Sequence, residues 1–476
     1  MSESRFRTSY KDLYQSTSSS ADEKQLTLIG LGDTGPMDSF MSFDGLSGLD
    51  SAEILFGTGG RLPHAIREAI QVSDGLGKPI TVNALRCGEG ALKASLNIMN
   101  DATTLVAMTL EYDYDGTEGN EWDAKVEADG LNGVVTLRDP DDESTPFTGA
   151  LLVDIIALIN ASSLPVTATP GPAVASNIEL FSWRSLSGGL DGTLTSAEVT
   201  RVLKLLEDED YPNILILGAN TSAMHSLIGT HCSGMLSAFP QVERFAGVEL
   251  ETFDSTNTEK SAAWYVDVGD WASDIVDYLD TKLDRNLIAC AGQANFLDSD
   301  GKSYEANVAA CAMAAWMGQS IKRGMINIQV GSVVQSLAPN IPNSNRSALA
   351  DARANYLMFV KGRGYIINGG RTLAASTSDF KYPEVLRAVY VCGAEARENG
   401  LVAWGDPDDP DTHGGLAYLQ AQMEKPLTTR KDNKKEIVAY QIRPSIDGEG
   451  NVTANMGVTP FTTMRNVVHT VYVKRS

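Results

Sequence analysis

The 476-residue sequence predicts a multidomain α/β (α+β) protein, with a βαβ core around a largely parallel sheet, an inserted β-rich module and a C-terminal α/β domain ending in strands suited to inter-subunit augmentation. Three observations predict it. Between about residues 195 and 291, short apolar runs such as "NILIL", "RFAGVEL" and "NLIACAG" alternate with segments of helical period. From Leu105 the signal changes to short β-like runs parted by Gly/Asp turns. The chain then closes on three β-rich segments, "IVAYQIRP", "GNVTANMGV" and "NVVHTVYVKRS".

Residues 1–24 are polar and Ser-rich, as in an arm that orders when docked. The first part of the core, 25–99, opens with a strand near Leu26–Ile29. Ala65, Ile66, Ala69 and Ile70 at helical spacing follow, and then the buried strand "KPITVNALR". The runs "TTLVAMTLEYDYD", "DAKVEADG" and "NGVVTLRD" place a β-rich module at 100–148. The α/β core resumes over 149–364. There Thr195 and Glu198 read as a capping box, and Val199, Val202, Leu203 and Leu206 form one apolar helix face. "EANVAACAMAAWMGQSI" reads as a small-residue helix suited to close packing. A C-terminal domain is expected over 365–458 and a terminal arm strand over 459–476. In that strand Val467, His469, Val471 and Val473 lie on one face, and Val468, Thr470 and Tyr472 on the other. A strand apolar on both faces at a chain end exposes an adhesive edge, so it is expected to be paired.

The formal net charge of −23 argues against DNA or an anionic membrane surface as the main partner, because either needs a basic footprint. The charge is uneven: residues 421–476 carry +4 and residues 1–420 carry −27. Five cysteines, Cys87, Cys232, Cys290, Cys311 and Cys392, lie far apart without a C-x-x-C pair, which predicts buried reduced thiols rather than a disulfide framework or zinc site. No apolar run is long enough to span a membrane, so the expectation is a soluble chain made in a reducing cytoplasm.

Tests for chemistry are negative, and no catalytic residue, cofactor or metal is expected. "GLGKP" lacks P-loop spacing, no G-x-G-x-x-G follows the middle strands, and there is no G-x-S-x-G elbow. His231 and Cys232 are adjacent in a helix and diverge by about 100°. "LDSDGKSYE" fails the calcium-loop spacing and reads as a turn closed by Asp-Gly. Asp406, Asp408, Asp409 and Asp411 sit among prolines, as in a solvated loop. "GRGYIINGGRTL" has the glycines of a phosphate loop but no helix start behind it, so it reads as a strand and an Asn-Gly turn.

That stretch resembles the segment opening the C-terminal domain of contractile tail sheath proteins, through Gly369, Arg371, Thr372 and Leu373. The resemblance runs in chain order through "LFGTGGRLPHAIREAI", "LSGGLDG" with Gly188, Gly189, Asp191 and Gly192, "AACAMAAWMGQSIKRGMINI" and "YLQAQMEKPL". It implies a structural subunit, not an enzyme, of a helical sheath that surrounds a tube and contracts to drive it through a cell envelope. Such a subunit belongs to a virion tail or injection-system particle assembled in a bacterial host cytoplasm. The implied partners are further copies of the chain, a tail tube protein, and baseplate and tail terminator proteins, with no direct nucleic acid and no membrane insertion. Terminal arms that add strands to neighbours would place Val467, Val468, His469, Val471, Tyr472 and Val473 in an intermolecular sheet. The basic C-terminal region would face the tube or a neighbour's acidic body. Two alternatives stay open on the residues alone, an α/β enzyme with an accessory β module and a non-contractile tail or surface-layer protein.

Overall fold

The computed structural model describes residues 24–129, 132–238, 241–403, 414–447 and 452–463. Its body is an eight-stranded sheet in the order Gly364–Asn368, Asn355–Val360, Leu287–Ala291, Phe245–Glu249, Asn213–Ile216, Gln25–Gly30, Thr81–Arg86 and Phe40–Asp44. The six inner strands run parallel, and an antiparallel strand flanks them at each edge. The parallel strands are apolar on both sides because helices cover both faces. Leu28, Leu215 and Ile288 point into a core closed by the helices Arg61–Gly75 and Ala309–Met317. Their neighbours Ile29, Ile214, Ile216, Leu287 and Ala289 face the helices Ser196–Leu205, Ser222–Met235 and Ala262–Asp280.

The helix Ala309–Met317 is buried at all nine positions, and its alanines let it lie close against the sheet. It is shorter than the sequence suggests. Glu305, Ala306 and Asn307, expected to begin it, instead end the strand Ser303–Asn307, which pairs with Gln293–Leu297, and the Asp298 carboxylate closes the turn by accepting the Lys302 N–H at 2.7 Å. The capping box is half formed: Thr195 Oγ1 accepts the Glu198 N–H at 3.1 Å, whereas the Glu198 carboxylate accepts the Gly88 N–H at 2.8 Å and binds Arg201. A partner outside the helix has taken the acidic half of the motif.

Beside the body lie a four-stranded sheet (Phe181–Ser185, Asp123–Asp129, Asn132–Arg138, Ser144–Gly149) and a three-stranded one (Lys93–Met99, Val106–Asp115, Val166–Pro170). They share one core with the helix Leu152–Asn160. Strands 93–99, 166–170 and 181–185, which flank the 100–148 run in sequence, pair into these same sheets. The segment Gly364–Asn368, expected to open a C-terminal domain, is an edge strand of the body, with its outer side covered by residues 327–330.

The five cysteines are buried and free. His231 Nε2 accepts from Arg244 Nη1 at 2.6 Å, and burial followed by that guanidinium pushes its pKa down to about 4. Its neutral form is therefore the folded form. The associated stability is complete above about pH 6.5 and is lost as pH falls through about 4. After discounting for partial exposure, the gap in unfolding free energy between wild type and His231→Gln, which keeps an acceptor for Arg244, is expected to move by about 1–2 kcal/mol in the variant's favour on acidification. Urea midpoints at about pH 7 and about pH 4.5 check this.

Candidate assembly site

The segments read as "IVAYQIRP" and "GNVTANMGV" pair as a hairpin, Ile437–Ile446 with Val452–Pro460, in register Tyr440↔Val458, Ile442↔Met456 and Pro444↔Ala454. It is a two-stranded sheet, so both strands are edges. Ten and nine residues long, they present rows of main-chain groups with no strand beside them among the described residues. One face carries Tyr440, Ile442, Ala454, Met456 and Val458 against Cys392, Ala396 and Leu427. The other is polar, with Gln441, Arg443, Thr453 and Asn455.

Two helices support the hairpin. Pro383–Gly400 begins with Pro383 at its first turn, where a missing N–H is harmless. Gly414–Thr428 contains Pro426 and gives way to the wide turn Thr429–Asn433. This turn buries Arg430. Its Nε and Nη2 grip Glu395 at 2.5 and 2.7 Å, and its Nη1 donates to Glu436 at 2.6 Å. Ser320 Oγ, from the body, donates to the other Glu436 oxygen at 2.8 Å, and Lys322 Nζ reaches the Lys435 carbonyl at 2.8 Å. The base of the hairpin is thus bonded to the body next to Ile437. A second tie is Arg387, whose guanidinium donates to the carbonyls of Trp316 at 3.2 Å and Met317 at 2.8 Å, at the end of the helix Ala309–Met317. Arg387 and Arg430 escape sequence reading because their partners lie far along the chain or at no helical spacing.

The sequence-flagged residues fall in three places. Gly188, Gly189, Asp191 and Gly192 lie where the β-rich sheets meet the body. Asp191 accepts from Thr117 N–H at 2.7 Å and Thr117 Oγ1 at 3.0 Å, and Gly189 exchanges hydrogen bonds with the Asn120 side chain at 2.9 and 3.0 Å. A Cβ on Gly189 would collide with the Gly116 carbonyl, while Gly188 and Gly192 have φ of +89° and +80°. Gly369, with φ +95°, turns the chain out of the edge strand. Arg371 then bonds through its main chain to Asn355 at 3.0 and 2.9 Å, Thr372 Oγ1 donates to the Phe380 carbonyl at 2.7 Å, and Leu373 is buried beside Leu287. These four residues are engaged with the chain's own strands and turns. Val467, Val468, His469, Val471, Tyr472 and Val473 lie outside the described residues, as do Asp406, Asp408, Asp409 and Asp411.

Among the described residues, no group of His, Cys, Asp and Glu side chains is placed to hold a metal ion, and no helix is long and apolar enough to cross a membrane. His225, buried at the carboxyl end of the sheet, shares Nε2 with the carbonyls of Ala219 and Glu249 at 2.9 and 3.0 Å and bonds Tyr278 through Nδ1, which occupies both ring nitrogens. Nearby, Arg61 pairs with Glu68 at 2.6 Å and stands 3.5 Å from Glu249. Near the carboxyl ends of the strands, where an open α/β sheet often takes a ligand, these charges are paired with one another.

No family model matches the sequence, and no curated protein matches it either. Solved structures do match in fold. The sheath tail protein of Desulfitobacterium hafniense superposes with a TM-score of 0.63 at 12% identity, covering 92% of this chain and 96% of that one. The sheath tail protein Lin1278 of Listeria innocua gives 0.60 at 16% identity, covering 91% of each chain. The helical sheath of the anti-feeding prophage in its contracted state gives 0.51 at 9% identity over 94% and 92%. Over about nine-tenths of its length, this chain has the fold of the sheath tail proteins.

Proposed function

We propose that this chain is a structural subunit of a contractile sheath, which polymerises helically around a tail tube and contracts to drive the tube through a target envelope. The observation that carries the reading is the fold likeness, which covers 92% of this chain and 96% of the Desulfitobacterium hafniense sheath tail protein, far more than one common α/β unit. The hairpin supplies the physical means. Two long open edges offer main-chain partners to strands from neighbouring copies, with alternate side chains fixing register. The N-terminal arm of 1–24 and the C-terminal strand of 459–476, through Val467, Val468, His469, Val471, Tyr472 and Val473, are the segments assigned to those edges. Such contacts are heterologous, and repeated under screw symmetry they build a filament rather than a closed ring. Tube, baseplate and tail terminator proteins are the further partners of this reading, within a phage tail or injection particle. No catalytic role is assigned to any residue.

The test is to express the full chain and examine it by negative-stain electron microscopy. Hollow regular cylinders are expected. Deleting Val467–Ser476 is expected to leave a chain with unchanged circular dichroism that no longer polymerises. Polymers of undiminished length from the truncated chain would refute the assignment of that strand to a neighbour, and a full chain that stays monomeric with purified tube and baseplate present would refute the sheath reading itself.

A further inference from the structure

The contact between the β-rich sheets and the body gathers several half-buried acidic side chains around one buried base. Asp33, in the loop after the strand Gln25–Gly30, accepts the Gly60 N–H at 2.8 Å and passes its main-chain carbonyl to the Glu118 N–H at 3.3 Å. Glu118 belongs to the turn after Val106–Asp115, on the β-rich side. Glu118 Oε2 and Asp33 Oδ2 lie 3.3 and 3.5 Å from the point a Cβ on Gly57 would occupy, so the two carboxyl groups converge on one spot at the junction. Thr34 Oγ1 and the Tyr112 hydroxyl, 3.0 Å apart, seal the contact beside them.

Most of the charged groups that act on this pair are acidic. Asp191 and Glu121 act on Asp33, Glu121 acts on Glu118, and Asp191 and Asp115 act on the nearby Arg86. Arg86 is the one cation in that set. It is fully buried, and its guanidinium is already engaged with the carbonyls of Gly32 and Gly35, both at 2.8 Å. Its Nη2 and the Glu118 Oε2 are buried atoms with no hydrogen-bond partner.

We propose that the junction is a proton-dependent latch, in which Asp33 and Glu118 hold the β-rich sheets against the body when the pair carries a proton and loosen that contact when both are ionised. Two half-buried carboxylates that converge on one spot oppose each other's ionisation, and a proton on either one removes that repulsion. Burial, then the neighbouring carboxylates, raises Asp33 to about 6 and Glu118 to about 7. A group whose pKa is raised in the closed contact stabilises that contact most below its free value, near 4, and loses the effect as pH rises through 6–7. The contact is therefore tight in mild acid and easier to open above neutrality. This inference concerns the single chain and does not depend on the sheath reading.

Hydrogen exchange of the full chain, read by mass spectrometry on peptides spanning Gly116–Asn120 and corrected for the intrinsic pH dependence of exchange, tests it. Protection of these amides is expected to fall about tenfold or more between about pH 5.5 and about pH 8, while the peptide over Asn355–Val360 stays level. In Glu118→Gln, and in Asp33→Asn with Glu118→Gln, protection is expected to be high at both pH values. Each amide keeps the carbonyl acceptor of the group it replaces, and Glu118→Gln alone decides the matter should the double variant not fold. Equal protection at both pH values in the wild type, or an undiminished fall in Glu118→Gln, would overturn the proposal.

Discussion

Replacing Arg430 with methionine is expected to lower the unfolding free energy by about 3–5 kcal/mol and to release the C-terminal hairpin first, because two buried carboxylates lose their common counter-ion. Arg430 is 1% exposed, with its carboxylate partners Glu395 and Glu436 at 10% and 9%. Methionine restores the volume but not the five donors, so Glu395 and Glu436 must take up protons or move to water. Glu436 precedes the first hairpin residue, Ile437, and is held from the body by Ser320, so the damage concentrates there. Limited proteolysis should cut the hairpin of the variant before the body, and a urea melt should show the loss. The triple variant with Glu395→Gln and Glu436→Gln, which removes the stranded charges, should recover part of it. A melt unchanged in Arg430→Met would mean that the triad does not anchor the hairpin.

Trp316→Ala is expected to cost about 3–5 kcal/mol, on the opposite side of that anchor. Its indole is fully buried, tilted against Phe245 at 5.7 Å between centroids, with the Arg387 guanidinium 5.3 Å from its ring centre and Nε1 donating to the Arg323 carbonyl at 3.0 Å. Phe245 stands in an inner strand of the body and Arg387 in the helix beneath the hairpin. One side chain therefore packs both units together, and removing it opens a cavity in a helix with no exposed position through which to collapse. The urea midpoint is the measure. A loss below about 1 kcal/mol would show that the helix Ala309–Met317 closes the gap by itself.

The parallel body was legible because its strands are buried on both faces. Ile214–Ile216, Phe245–Glu249 and Leu287–Ala291 are continuous apolar runs framed by helical periods, a pattern with few other solutions. The C-terminal hairpin was legible as two β segments. The partnership of strands 93–99, 166–170 and 181–185 was not, since periodicity reveals a strand but not which sheet it joins. The start of the small-residue helix was misplaced because "EAN" has no strand signature of its own; the pairing of Glu305 with Asn295 across the turn decides it. Arg430, Arg387 and the junction residues Asp33 and Glu118 were invisible for a related reason: their meaning lies in contacts across 35, 71 and 85 residues, which no local pattern encodes. The glycines of "LSGGLDG" carried a signal through resemblance alone, and the collision awaiting a Cβ at Gly189 gives its physical basis.

The ladder of the hairpin runs nearly the whole length of both strands, from Ile437↔Pro460 to Ile446↔Val452. A strand laid along either edge and pulled along its own axis would load its row of hydrogen bonds together, in shear, whereas a pull at right angles would break them one after another, like a zip. Ribbon geometry therefore makes a joint that is strong in tension along the strand and readily peeled from its end. A body sheet with one edge covered by residues 327–330 and only the five-residue strand Phe40–Asp44 at the other has no comparable joint to offer.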